Sequence, residues 1–376
     1  MSAKRSAPKI AIVHDWLTTM GGAERVVLAL HEAFPDAPIY TSTYTPETMP
    51  AFANCDVRTT SLQTFPKFLR KLHKFFPVLR VRAFRELDLS EFDIIISSSS
   101  AEAKQVRKTR PDQIHICYCH TPVRYYWSHY NEYKADPGFG WLNPLIRLAI
   151  PLFVPWAKKA DYKAAQEVDI FVANSSTVQK RIKKYYGKSS TVIHPPVETS
   201  RFTPARVRDD YYVAIGRQVP YKRIDLAVEA ATELGVTLKV FGNGSEHRRL
   251  LALAGPTIEF YTDRFGDASD DAVTEALNHA RGFIFPTEED FGIVQAEALS
   301  AGAPVIALGR GGALDIVEEG VSGVLFRDQN ADSLANAIRY AESIKFMPAT
   351  LQRKAKRFDK TLFITKIRKV VSDNLK

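Results

Sequence analysis

Short continuous apolar runs recur along the chain, separated by longer stretches whose apolar residues return at helical spacing. In the first half the runs are KIAIV (9–13), DIIISSSS (93–100), IHICYCH (114–120), DIFVANSS (169–176) and TVIHPP (191–196). In the second half they are YYVAIGR (211–217), TLKVFGNG (237–244), IEFYTD (258–263), GFIFPTEE (282–289), PVIALGRGG (304–312) and SGVLF (322–326). Polar or proline residues bound these runs, as in parallel strands covered on both faces. After the first run, GGAERVVLALHEAF has helical periodicity. The prolines of HPPVETSRFTP (194–204) interrupt both patterns, and the same alternation then restarts. Repeated strand–helix units predict an α/β fold with a doubly wound sheet in each half, ligands lying beyond the carboxyl ends of the strands. The expected division is 1–200, 201–357 and a final helix over 358–376. That helix carries Phe358, Leu362, Phe363, Ile367, Val370 and Val371 at helical spacing and is a candidate to pack across the domain junction.

Composition narrows the class. A chain of 376 residues is long enough for two cores, and 45% hydrophobic with 25% charged residues excludes disordered and fibrous proteins. No apolar run approaches the about 20 residues that a membrane-spanning helix requires. The most apolar stretch, LIRLAIPLFVPW (145–156), is too short and carries Arg147 and two prolines. The N-terminus passes from a basic tail straight into a strand, without the apolar core and cleavage site of a signal peptide, so a cytoplasmic location is expected. Cys55, Cys117 and Cys119 form no disulfide framework, which suits a reducing compartment. CYCH (117–120) has no second Cys/His pair at ligand spacing and reads as a buried strand, so no metal is expected there. A net charge of +9 and a pI near 9.3 imply an acidic partner. Nucleic acid, an anionic membrane surface and a phosphorylated small molecule all satisfy that condition.

The most informative segment is FPTEEDFGIVQAEALSAGAPVIA (285–307). A strand ending at Phe285 leads into a loop over 288–292 and a helix from about Ile293. Glu289 sits in the loop and Glu297 eight residues on, a rise of about 12 Å if all eight are helical. That reach would let one carboxylate hold a sugar and the other a ribose, with a diphosphate between them. The amides of Phe291, Gly292 and Ile293 at the helix start are donors suited to an anion. On a solvated helix two such glutamates would mean nothing, but the residues around these are apolar.

This segment resembles glycosyltransferase family 4, whose mark is two glutamates in a P-x-x-E-x-F-G-x-x-x-x-E-A context. Pro286, Glu289, Phe291, Gly292, Glu297 and Ala298 fit it, while Asp290 replaces a glycine often found before the phenylalanine. The resemblance implies a GT-B fold, with two Rossmann-like domains facing across a cleft. It also implies metal-independent transfer with retention of anomeric configuration, and a nucleotide-sugar donor with no further cofactor. Other family landmarks occur in order. IGRQVPYKRID (215–225) looks like the G-R-x-x-x-x-K element, in which Arg217 and Lys222 would neutralise a diphosphate leaving group. HDWLTTMGGAERVV (14–27) places Gly21 and Gly22 before a helix, where the resemblance assigns a loop to the donor diphosphate and the acceptor. FGNG (241–244), with Gly242 and Gly244, looks like the family's turn near the nucleotide. CHTPVRYYW (119–127) places His120 where the family has a histidine that contacts the donor sugar and assists reaction. Asp15 and Arg124 are the acceptor-side candidates.

HDWL, GGAERV, CYCHTPVRYYW and GGALDIVEEGVSGVLF together look like bacterial polysaccharide and O-antigen transferases, many of which use GDP-mannose. GDP-mannose is therefore the expected donor, with UDP-sugars open because no base-reading residue is identified. The segment 65–85 interleaves aromatics with Lys67, Arg70, Lys71, Lys74, Arg80, Arg82 and Arg85, and Phe68, Leu72, Phe75 and Phe76 share a helical face. It reads equally as a core-facing helix with a basic back or as a peripheral contact with the inner face of the membrane, which would fit a lipid-linked acceptor. A nucleotide-sugar epimerase or a phosphorylase would share the fold; the second needs a lysine for pyridoxal, and none stands out. A nucleic-acid-binding protein is the non-enzymatic alternative, disfavoured because Glu289 and Glu297 would repel a phosphate backbone.

Overall fold

A computed structural model describes residues 8–66, 70, 77–128, 130, 134, 143–262 and 269–375. The chain forms two compact units, Met1–His194 with Phe363–Lys376, and Pro195–Leu362.

In the first unit the strands are β1 (Ile10–His14), β2 (Ile39–Thr41), β3 (Val57–Thr59), β4 (Ile94–Ser99), β5 (Ile114–Cys119), β6 (Ile170–Ala173) and β7 (Ser190–Val192). They pair in parallel in the order β3-β2-β1-β4-β5-β6-β7. The helices are α1 (Gly22–Ala33), α2 (Pro77–Arg85), α3 (Asn143–Glu167) and α4 (Ser176–Tyr186). Successive strand residues face opposite sides, and both sides are apolar. Ile12 packs with Val26, Leu30 and Ile94, whereas Ala11 and Val13 pack with Phe84 and Ile95. Both faces being covered explains the continuous apolar runs. β2 and β3, three residues each, were too short to stand out; register with β1 places them, Ile12 opposite Ile39 and Ile39 opposite Val57.

In the second unit the strands are β8 (Tyr212–Ile215), β9 (Leu238–Phe241), β10 (Ile258–Tyr261), β11 (Gly282–Phe285), β12 (Val305–Leu308) and β13 (Gly323–Phe326). Their order is β10-β9-β8-β11-β12-β13, again parallel. The helices are α5 (Ile224–Leu234), α6 (His247–Leu253), α7 (Asp270–His279), α8 (Ile293–Ser300), α9 (Ala313–Ile316), α10 (Ala331–Glu342) and α11 (Pro348–Ala355). Strand order reverses between β8 and β11, the topological switch point at which open α/β sheets bind ligands.

The units divide between His194 and Pro195 rather than at 200. Val197 is the reason: its N–H donates to Phe358 O (2.9 Å) and its carbonyl accepts from Lys360 N (2.9 Å), which ties it to the second unit. The last helix, α12 (Lys360–Asp373), buries Phe363, Ile364, Ile367 and Val371. These side chains join the first unit's core with Ile12 and Leu30, and Phe363 meets the Tyr118 ring edge-on at 5.6 Å.

In the 65–85 segment Lys67, Phe68, Lys71, Leu72, Lys74, Phe75 and Phe76 lie outside the described residues, as does Asp263 of IEFYTD. Of the described basic residues, Arg80 does not belong to a solvated back: it is buried in a two-pronged pair with Glu102 (2.8 and 3.0 Å). Arg85 is largely buried against Glu167 (3.1 Å), whereas Arg82 stays exposed, paired with Glu86 (2.6 Å). Among the described residues no helix is long and apolar enough to cross a membrane.

Candidate functional site

The switch point of the second unit brings four strand-end loops side by side, those after β9, β8, β11 and β12. The loop after β8 runs from Gly216 through Arg217 and Gln218 into a short 3-10 turn, Pro220–Lys222. Lys222 therefore ends this turn, with Arg223 between it and α5. Arg217 is exposed and its Nη2 donates to Tyr221 Oη (2.7 Å). Arg223, between Lys222 and α5, adopts a left-handed backbone (φ 50°, ψ 37°), a conformation that costs a non-glycine residue about 1–3 kcal/mol.

Lys222 Nζ donates to Glu289 Oε1, with both side chains about four-fifths buried (17% and 21% exposed). The sequence reading gave these residues separate partners, diphosphate and sugar; the fold makes them partners of each other. Thr287 Oγ1 reinforces the junction by donating to Tyr221 O (2.8 Å). The donor-binding candidates follow in the same loop. Asp290 and Phe291 are buried, the Phe291 ring packing on Phe358 at 5.5 Å. Gly292 caps α8 and Ile293 is its first residue. Only Ile293 to Glu297 is helical, so the rise between the glutamates that eight helical residues would give does not apply; four helical steps supply about 6 Å. Glu297 is buried within α8.

Gly242 and Gly244 have a packing role that the sequence did not reveal. A Cβ on Gly242 (φ +111°) would lie 2.3 Å from Gly216 O, and one on Gly244 2.3 Å from Gln218 O. Gln218 closes the contact, donating from Nε2 to Gly242 O (2.6 Å) and from its amide to Asn243 O (2.9 Å). This pair of glycines thus holds the loop that carries Arg217. Gly312, after β12, does the same for the acidic loop. Its N–H donates to Glu289 O (2.8 Å), and a Cβ there would lie 2.2 Å from Phe291 Cα. Sequence reasoning assigned no role to Gln218, Thr287 or Gly312; the glycine run GRGG directly after an apolar run was the available signal for the last.

In the first unit Gly21 caps α1 and Gly22 opens it. Glu24, on its first turn, is buried and reaches His14 (Oε1 to Nε2, 3.5 Å). His14 Nδ1 lies 3.0 Å from Ser98 O and 3.2 Å from Ser98 Oγ, and Ser98 Oγ lies 2.7 Å from His120 Nε2. A buried polar chain therefore runs Glu24–His14–Ser98–His120, the two rings 6.5 Å apart and edge to face. Burial disfavours a charged His14, but the Glu24 hydrogen bond and the charges of Glu24 and Asp15 outweigh it and raise its pKa. Ser98 Oγ lies within hydrogen-bond reach of both rings, so the serine links His14 to His120 and holds the His120 ring in place. His14, Ser98 and Glu24 were not among the sequence candidates.

Asp15 has a structural role. It is 1% exposed, and its carboxylate accepts from Ser100 N and Oγ, Ala101 N and Ala103 N (2.7–2.9 Å). Three of these donors meet Oδ2 and one Oδ1, so the buried carboxylate anchors the loop after β4. The same loop carries Glu102, paired with Arg80, and Lys104, paired with Asp161 at 2.5 Å. Both pairs are fully buried, which holds Asp161 between Trp127 Nε1 and Tyr186 Oη (2.7 Å each) as well. Arg124 is half-buried in the turn beyond β5.

The architecture defines the class of protein. The fold is GT-B, and a solved Anabaena structure, HepE in complex with UDP and glucose, superposes with a TM-score of 0.70 at 17% identity over 97% of this chain and all of that one. Within that class, the Glycosyltransferase Family 4 description matches residues 20–201 and the Glycosyl transferases group 1 description residues 196–358, so the chain carries both domains in tandem. D-inositol 3-phosphate glycosyltransferase of Geodermatophilus obscurus is 31% identical over 203 residues, 46% of this chain and 45% of that protein. The chain thus spans about half the length of that relative. Alpha-1,3/1,6-mannosyltransferase ALG2 of Candida glabrata is 26% identical over 397 aligned positions, 88% of this chain and 84% of that protein.

Proposed function

We propose that the protein is a retaining glycosyltransferase that moves mannose from GDP-mannose to a hydroxyl of a lipid-linked glycan or polysaccharide precursor, working peripherally on the inner face of the membrane. The observation that carries the reading is the Lys222–Glu289 pair at the switch point of the second unit, beside Arg217 and the α8 N-terminus. An anionic diphosphate takes the Lys222 ammonium from Glu289, and the released carboxylate turns to the sugar hydroxyls. Lys222 and Arg217 then stabilise charge that grows on the leaving group, and Glu297 holds the ribose. The bond from the anomeric carbon to the diphosphate oxygen breaks and the acceptor oxygen bonds to the same face. The acceptor's proton goes to the departing diphosphate. With two cations on the leaving group, the reaction needs no metal and no resident cofactor. His120, oriented by Ser98, assists at the sugar. The mannosyl assignment is supported by the family resemblance and by the Candida relative's name; a UDP-sugar is the second reading, supported by the ligand of the Anabaena protein.

The test is turnover of a nucleotide-sugar panel, with EDTA present, by wild type, Lys222→Met and Glu289→Gln. The expected result is loss of sugar from GDP-mannose with no free epimer formed, and a 10²–10³-fold fall in each variant, the usual cost of removing one electrostatic group. Because the two side chains touch, the double variant should fall by less than the product of the single effects. Release of an epimerised nucleotide sugar, or no binding of any nucleotide sugar, overturns the reading.

A further inference from the structure

Helix α3 shows two opposite surfaces. Val154, Ala157, Asp161, Ala164 and Ala165 are buried. Leu148, Pro151, Leu152, Pro155 and Trp156 are exposed, and their spacing of three and four puts them on one side of the helix. Leu148 is 74% and Leu152 83% exposed. Scattered exposed leucines need no explanation, but a continuous apolar stripe left exposed among the described residues marks an interaction surface. Two prolines within the helix remove two intrahelical donors and add apolar surface to the same side.

Charge identifies what covers it. The stripe runs on into Lys159, Tyr162 and Lys163, all exposed. Beside it a cavity of about 480 Å³ is lined by Trp156, Lys159 and Lys163 of α3 and by Arg82, Arg85 and Arg107. Arg82 and Arg85 have carboxylate partners; among the described residues Arg107, Lys159 and Lys163 have none. A second copy of this chain would bring like charges together, and a nucleic acid offers phosphates but nothing to bury two leucines. An anionic phospholipid surface supplies both an apolar layer and phosphates, and tryptophan is favoured at that boundary.

We infer that this face of α3 docks on an anionic phospholipid bilayer, Leu148, Leu152 and Trp156 entering the interfacial layer while Lys159, Lys163 and Arg107 meet headgroup phosphates. The inference deepens the peripheral placement proposed above by giving it a surface on α3. It does not depend on the transfer reaction.

The full chain is sedimented with vesicles of phosphatidylcholine, or of phosphatidylcholine partly replaced by phosphatidylglycerol. Wild type should partition onto the anionic vesicles, less so as salt rises. L148S/L152S/W156S should bind more than tenfold more weakly. K159Q/K163Q should lose about fivefold per lysine on anionic vesicles only. Tyr340→Ser, which removes an exposed aromatic of the second unit, should bind as wild type does. Equal binding by wild type and L148S/L152S/W156S overturns the inference. So does a wild-type dimer in light scattering that this triple variant converts to monomer, which would make the stripe a joint between two copies. Donor turnover without vesicles should be the same in all these variants, so this inference and the transferase reading fail separately.

Discussion

Lys222 and Glu289 are 67 positions apart and meet because β8 and β11 are neighbours in the sheet. Each was legible as a candidate through its place after a strand end, but the pairing was not, since strand order is not written in any local pattern. Other buried polar residues gave still less local signal. His115, in β5, is fully buried with Nε2 2.8 Å from Ser97 Oγ. Burial lowers its pKa from 6.5 to about 4, against the opposing charge of Asp169. The folded state therefore resists protonation that the unfolded state accepts. Stability should be complete above pH 6.5 and fall as the pH drops toward 4, by about 3 kcal/mol in all. Denaturant titrations across that range should show the slope in wild type and a flatter one in His115→Gln; identical slopes would remove His115 as the cause.

The loops derive their shape from contacts between strand ends. The apolar runs announced β1, β4 to β7 and all of β8 to β13, because parallel strands covered on both faces are apolar throughout. β2 and β3 escaped notice because three residues are too few to make a run. The acidic loop was recognised by its residues, yet its support by Gly312 was not, because that contact joins the ends of two strands. Gly312→Ala should displace the Phe291 backbone, lowering stability by about 1–3 kcal/mol and donor turnover at least tenfold. Gly309→Ala is the matched control: its nearest neighbour would be 3.4 Å away, so both stability and turnover should stay near wild type. Equal effects of the two would show that the close approach at Gly312 does not position Glu289.

At the scale of the molecule, the first unit is discontinuous in sequence and is completed by the chain's last helix. Phe363, Ile364, Ile367 and Val371 lie in its core, and burying four such side chains stabilises by roughly 6–12 kcal/mol. That equals most of the about 5–15 kcal/mol by which a domain is usually stable. A chain ending at Leu362 should therefore lose cooperative unfolding of the first unit, seen as the loss of one transition in calorimetry, while the second unit keeps its own. Two intact transitions would mean that α12 is dispensable. The helical spacing of 358–376 identified the helix, but spacing does not say which core receives it.

The sequence by itself determined the two-domain α/β class, the positions of most strands, and the segments that carry Glu289, Glu297, Arg217, Lys222 and His120. The strands are properties of local pattern, apolar runs bounded by turn residues; the candidate residues were marked by charged residues after strand ends and by the resemblance to glycosyltransferase family 4. Only the tertiary structure decided that Lys222 pairs with Glu289, that Asp15 anchors a loop, that Arg80 is buried, that His14 and Ser98 stand behind His120, and that Leu148 and Leu152 of α3 are exposed. Each of these depends on which distant segment lies alongside, and strand order and helix docking settle that through the summed packing of the whole core.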